Sequence, residues 1–126
     1  MKQTILLIED NEQNRYLTTF LLEHHGYHVV SAPDGHKGIE QAQALVPNLI
    51  LLDIQLPTMD GYTVARSLRA IELLKKVPII AVTSYAMVGD REKCLAAGCN
   101  AYIEKPINPE TFVKEIAEFI ALPPAV

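Results

Sequence analysis

The sequence predicts an α/β domain, a doubly wound five-stranded parallel sheet with helices on both faces. Three observations lead there. Short apolar runs alternate with helical patterns through five successive units. The clearest runs, Ile5-Leu6-Leu7-Ile8 and Leu49-Ile50-Leu51-Leu52, are apolar at every position rather than every second one, as strands covered on both faces must be. Each helical segment is long enough to cross back to a parallel strand. A chain of 126 residues, 49% hydrophobic, gives a single domain with a sizeable core.

Taken in order, Ile5 to Ile8 forms the first strand. The helix after it runs from Glu12 to His25, with Asn11 as N-cap, Leu17, Phe20, Leu21 and His24 at helical spacing, and Gly26 as its stop. His28 to Ala32 is the second strand. Asp34 caps a helix whose stripe is Ile39, Ala42, Leu45 and Val46, and Pro47 ends it. Leu49 to Leu52 is the third strand and Tyr62 to Ile71 the next helix. Ile79 to Val82 follows Pro78 as the fourth strand, then a weak helical start (Tyr85 to Val88), Gly89, and a helix from Asp90 to Ala97 with Gly98 as C-cap. Ala101 to Ile103 is the last strand. Asn108 caps the final helix, Pro109 takes its first position, and Phe112, Ile116, Phe119 and Ile120 make its buried stripe. The domain is expected to span residues 1–122, with 123–126 as a tail.

Charge and cysteine usage exclude several function classes. Eleven basic against fifteen acidic residues give a net charge of −4, with no electrostatic footprint for nucleic acid. The first apolar run is too short for a signal peptide or a membrane span, so a soluble cytoplasmic protein is expected. Cys94 and Cys99 have no metal-type spacing and read as packed thiols. His24 and His28 stand four apart, but Gly26 breaks the helix between them, so they share no metal face. His24 and His25 read instead as polar groups at a helix C-terminus.

In an open parallel sheet, ligands bind beyond the carboxyl ends of the strands. Glu9 and Asp10 follow the first strand, Asp53 the third, Thr83 the fourth and Lys105 the fifth. Three carboxylates in one crevice repel, and one is driven towards protonation unless a cation sits among them. Magnesium, a hard ion that takes one or two carboxylates plus phosphate oxygens, suits the set. With the metal and Lys105 facing new phosphoryl oxygens and Thr83 donating to a third, the kit can hold a phosphoryl group on an aspartate.

These residues give the chain a resemblance, over nearly its whole length, to the response-regulator receiver domains of bacterial two-component signalling. The motifs that carry it are Glu9-Asp10, the run from Asp53 through Pro57 to Asp60-Gly61, Val82-Thr83-Ser84, and Lys105-Pro106. The resemblance implies the flavodoxin-like strand order 2-1-3-4-5, which is the known order of that fold. It implies that Asp53 accepts a phosphoryl group from a phosphohistidine on a sensor histidine kinase or phosphotransfer protein. Mg2+ would be bound by Asp10, Asp53 and the Gln55 carbonyl, with Glu9 acting directly or through water. Thr83 and Lys105 would bind phosphoryl oxygens, and the Lys105-Pro106 bond would be cis. Tyr102 matches an aromatic switch, and phosphorylation would repack the fourth helix, fifth strand and fifth helix for a downstream protein target. Gln55 and Tyr85 occupy variable positions that tune acyl-phosphate lifetime.

Some readings stay open. Tyr102 fits a half-buried strand tyrosine as well as a switch, and Met59 and Met87 read as gap-filling or contact surface. The sequence does not separate a stand-alone regulator, monomeric or dimerising on phosphorylation, from a receiver belonging to a larger hybrid kinase; the initial Met close to the first strand favours a stand-alone or N-terminal receiver. A dinucleotide or flavin binder fails, because Glu9-Asp10-Asn11-Glu12 repels phosphate where a glycine-rich turn would cradle it. An aspartyl-phosphate hydrolase of the kind compared would carry a second acid where Gln55 stands, so no turnover of external substrates is expected. All five rim residues are present, which disfavours a receiver reduced to docking alone.

Overall fold

A computed structural model describes residues 2–84 and 88–120. The weak helical start at Tyr85 to Val88, Met87, and the tail at 123–126 therefore lie wholly or largely outside the described residues. Five strands form one parallel sheet: β1 (Thr4–Ile8), β2 (His28–Ala32), β3 (Leu49–Asp53), β4 (Ile79–Thr83) and β5 (Ala101–Glu104). Their order is β2-β1-β3-β4-β5, as the resemblance implies. The helices are α1 (Glu12–His24), α2 (Gly35–Leu45), α3 (Gly61–Arg69), α4 (Asp90–Ala96) and α5 (Pro109–Ile120).

The two faces sort the core by strand alternation. Leu6, Ile8, Ile50, Leu52, Ile79 and Ala81 point to one side and pack with Ala42 of α2, Val64 and Leu68 of α3, and Cys94 of α4. Ile5, Leu7, Leu49, Leu51, Ile80 and Val82 point to the other, against Leu22 of α1 and Phe112, Ile116 and Ile120 of α5. Burying one such side chain stabilises the fold by about 1.5–3 kcal/mol. The continuous apolar runs thus serve two helix layers at once.

Helix starts follow the capping chemistry. Asn11 Oδ1 accepts from Asn14 N at 2.9 Å, Asp34 Oδ1 from Lys37 N at 2.8 Å, and Asn108 Oδ1 from Glu110 N at 3.0 Å. Gly26 and Gly98, with φ of 92° and 110°, take the left-handed conformation that closes a helix end.

Three local expectations are corrected. Leu17 and Phe20 are each 65% exposed, and the residue α1 buries is Leu22, because α1 shares its sheet face with α5. Leu45 and Val46 are both exposed, and Val46 lies past the helix as a C-cap with φ 45°. The α3 helix stops at Arg69, and a 3₁₀ turn at Glu72–Leu74 carries the chain on to β4. That turn is anchored by Arg69, whose guanidinium donates to Leu74 O, Lys75 O and Val77 O at 2.9–3.1 Å and to Gly98 O and Asn100 Oδ1 at 2.8–3.0 Å.

Candidate functional site

All five strands run the same way, so β1, β3, β4 and β5 present their carboxyl ends on one rim. Parallel pairing sets the register there: Asp53 lies beside Val82, and Thr83 beside Glu104. Glu9, Asp53 and Thr83 are buried, whereas Asp10 is exposed. Carboxylate oxygens of Glu9, Asp10 and Asp53 all lie within 4.8 Å of one another. The rim therefore gathers the residues expected of it.

Lys105 reaches these acids from the loop after β5. Its Nζ is 2.5 Å from Glu9 Oε1 and 3.5 Å from Asp53 Oδ2. The Lys105 backbone N–H donates to Thr83 O at 2.8 Å, which ties the ammonium and hydroxyl positions together. The Lys105-Pro106 peptide bond is cis. Gln55 N donates to Asp53 Oδ1 at 2.9 Å and orients that carboxyl group.

Electrostatics divide the two buried acids. Burial, then the hydrogen bond to Glu9, pushes Asp53 up to about 7, against the opposing pull of Gln55 N–H and Lys105. Burial drives Glu9 upward too, but its hydrogen bonds to Asp53 and Lys105, the Lys105 charge and the Asn11 N–H outweigh it and hold Glu9 below its ordinary range. Metal-free, Asp53 keeps a proton towards neutral pH while Glu9 stays ionised. Hard oxygen donors, two of them buried and sharing a proton, are what a divalent cation can displace that proton from.

Other contacts at the site were not legible in the sequence, although Ser84 and the Asp60-Gly61 pair stand in its motifs. Arg15 Nη1 donates to Glu9 O at 2.8 Å and Asp10 O at 3.0 Å, bracing the loop that carries both acids. Ser84 Oγ donates to Gln55 Oε1 at 3.1 Å, joining the loops after β3 and β4. The Asp60-Gly61 pair caps α3: Asp60 Oδ1 accepts from Thr63 N at 3.0 Å, and Gly61 N donates to Ile54 O at 2.9 Å. An arginine six residues beyond an acid, or a serine after a threonine, carries no such signal on its own.

A cleft of about 560 Å³ opens beside these groups, lined by Glu9, Asp53 and Lys105 and by Leu17 and Leu21 of α1 and Phe112 of α5. Tyr102, half-buried on β5, packs against the core layer under α4. His25 Nδ1 lies 2.9 Å from Leu21 O at the end of α1, the helix-terminal role expected of it.

A doubly wound parallel sheet with three carboxylates, a hydroxyl and a lysine on its carboxyl rim defines a phosphoryl-handling α/β signalling class more narrowly than the fold alone. The profile of the response regulator receiver domain family matches residues 5–117, and the chain belongs to that family. It is 39% identical over 120 residues to the polar-differentiation response regulator DivK of Brucella ovis, covering 95% of this chain and 98% of the relative. The receiver domain of sensor histidine kinase PA1611 from Pseudomonas aeruginosa, solved with a magnesium ion in its active site cleft, is 38% identical with a TM-score of 0.90, over 97% of this chain and 100% of that one. The chemotaxis protein CheY4 of Vibrio cholerae is 26% identical with a TM-score of 0.90, over 94% and 99%. The protein is a phosphorylation-dependent signalling domain of two-component type. No helix among the described residues is long and apolar enough to cross a membrane.

Proposed function

We propose that Asp53 accepts a phosphoryl group from a phosphohistidine of a histidine kinase or histidine phosphotransfer protein. The observation that carries this reading is the Asp53 carboxyl itself: buried at the end of β3, 3.5 Å from the Lys105 ammonium, and within one cation's reach of Glu9 and Asp10. An Asp53 oxygen attacks phosphorus, the P–N bond to the donor imidazole breaks, and the electron pair leaves with that nitrogen. Lys105 and Thr83 then bind the transferred phosphoryl oxygens, and Lys105 passes from Glu9 to the new charge.

Asp10, Asp53 and the Gln55 carbonyl would hold Mg2+, with Glu9 direct or through water. When bound, the ion supplies charge neutralisation for the phosphoryl oxygens. Gln55 stands where a hydrolase of external substrates would carry a second acid, which supports a protein that assists only its own phosphorylation and dephosphorylation. Tyr102 acts as the switch residue, and the face of α4, β5 and α5 changes its packing because phosphoryl contacts favour one of two arrangements. A downstream protein reads that face, and free thiols suit the reducing cytoplasm in which we place the chain.

The 38% identity to a hybrid kinase receiver favours a second assignment, in which the same chemistry serves a larger kinase or regulator. Intact mass after incubation with a small acyl phosphate and Mg2+ tests the site. One added phosphoryl group is expected, absent without Mg2+ and absent in Asp53→Asn. A well-folded wild type that gains nothing, and forms no beryllofluoride complex, overturns the reading.

A further inference from the structure

The cysteines form a second chemically competent pair, far in role from the acid rim. The C-terminal end of α4 is closed by two hydrogen bonds, Cys99 N to Cys94 O at 3.0 Å and Gly98 N to Leu95 O at 3.1 Å, with Gly98 at φ 110°. This closure brings the third-last position of the helix against the second residue beyond its cap. Here those positions are Cys94 and Cys99, both buried and both in the core cluster on the same sheet face. Cys94 is also the one residue that α4 buries among its seven. Cys94 is thus the side chain by which α4 itself reaches the core, with Cys99 buried just beyond the helix end.

We propose that Cys94 and Cys99 are a redox-responsive pair that closes to an intramolecular disulfide when α4 undocks, with a small-molecule disulfide as oxidant. While α4 is docked, burial raises both thiols, Cys99 to about 12, so neither ionises at neutral pH. Packed thiols are therefore the resting state, and undocking returns them to ordinary reactivity. The helix is suited to undocking: it is seven residues long and its N-cap is Gly89, with φ 91° and no side-chain cap. Tyr62 Oη, donating to Asp90 Oδ1 at 3.3 Å, makes one tie from α3 across its first turn.

The chemistry balances in two exchanges. The Cys99 thiolate attacks one sulfur of the oxidant, whose S–S bond breaks, leaving a mixed disulfide and one released thiol. The Cys94 thiolate then attacks the Cys99 sulfur and displaces the second thiol. Two protein thiols are oxidised, the oxidant is reduced to two thiols, and the two protons end on those products. Only four residues separate the pair, so the second exchange outruns any intermolecular competitor. Once formed, the bond holds the end of α4 to the start of β5. Its effect on signalling rests on the proposed repacking of the α4 and β5 face; its formation does not.

The test treats the reduced full chain, folded, with glutathione disulfide, then alkylates remaining thiols in denaturant and reads intact mass. The expected product has lost two hydrogens, carries no glutathione and no alkyl group, and stays monomeric. Cys99→Ala should give either an unchanged thiol or a glutathione adduct, never the two-hydrogen loss. The proposal is overturned if the native chain keeps both thiols while the same chain in urea oxidises, if a glutathione adduct persists on the wild type, or if a disulfide-linked dimer forms. Amide exchange over residues 90–104 should be slower in the oxidised chain, and equal exchange would overturn the restraint on α4. Both readouts need no phosphoryl transfer, so they are decided separately from the assignment of Asp53.

Discussion

Gly61→Ala puts the coupling between α3 and the loop of Asp53, the proposed phosphoacceptor, to the test. A Cβ built at position 61 would stand 2.4 Å from Ile54 Cα, 2.8 Å from Ile54 Cδ1 and 2.9 Å from Asp53 O. Ordinary contact begins at 3.4 Å, so the Ile54 backbone has to retreat by 3.4 − 2.4 = 1.0 Å. That backbone cannot swing aside as a flexible side chain would: Ile54 N donates to Val82 O at 3.2 Å, and Ile54 O accepts from Gly61 N at 2.9 Å. Overpacking of this kind costs about 1–3 kcal/mol. With a urea slope of about 2 kcal/mol/M, the unfolding midpoint falls by about 1 M. Asp53 is covalently joined to Ile54, and a displacement of about 1 Å at a reacting group can cost about 100-fold in rate. Urea unfolding and the rate of Asp53 phosphorylation from a small acyl phosphate with Mg2+ measure the two effects. Gly26→Ala is the control: its φ of 92° strains an alanine, but nothing lies within 4 Å of the added Cβ, so only stability should fall. If Gly61→Ala matched wild type in both midpoint and rate, the claim that this glycine sets the loop after Asp53 would be wrong.

Arg69→Lys keeps the charge but loses the planar fork that serves five neutral oxygens, and should cost about 2–4 kcal/mol by urea unfolding; a loss under about 0.5 kcal/mol would show the cradle is dispensable. Asp60→Ala removes the α3 cap for about 1 kcal/mol at neutral pH. Asp60 is held below its ordinary range by the Thr63 N–H, so its contribution is present above the unfolded carboxylate pKa and lost as pH falls through the lower folded value; wild type and variant should converge in acid. Asp53→Asn should raise the urea midpoint of the metal-free protein, because burial disfavours the aspartate charge; an equal or lower midpoint at pH 8 would contradict that.

The rim was legible because each of its residues follows a strand that announces itself. Four consecutive buried aliphatics cannot be a surface feature, and an acid directly after them, as at Asp53, has no packing role to explain it. The caps were legible for a related reason: Asn11, Asp34 and Asn108 each stand one residue before a change of period. What failed depended on neighbours distant in sequence. Leu17 and Phe20 share a helical stripe yet stay exposed, and the face that α1 turns inward, with Leu22 on it, is decided by the sheet face it shares with α5. Arg15 and Arg69 look like solvated charges until loop carbonyls are found around each guanidinium, from one loop for Arg15 and from two for Arg69. Position 46 is harder still, since Val is among the residues least expected at a positive φ. There Pro47 and the clamp of Asn48 on Thr4, which donates and accepts at 2.8 Å, override local preference.

The same contrast separates structure from function within the site. Arg69 and the three caps satisfy groups that folding would otherwise leave unpaired, so their removal should weaken the protein. Asp53 and Glu9 do the reverse. Two buried carboxyl groups share a proton beside one lysine, an arrangement that costs stability in the absence of a cation and contributes nothing to packing. A fold under selection for stability alone would place a hydrogen-bonding amide there. The acids make sense only when something of opposite charge arrives, and that is why the least stable arrangement of polar groups on the rim is also the one to which we assign the phosphoryl chemistry.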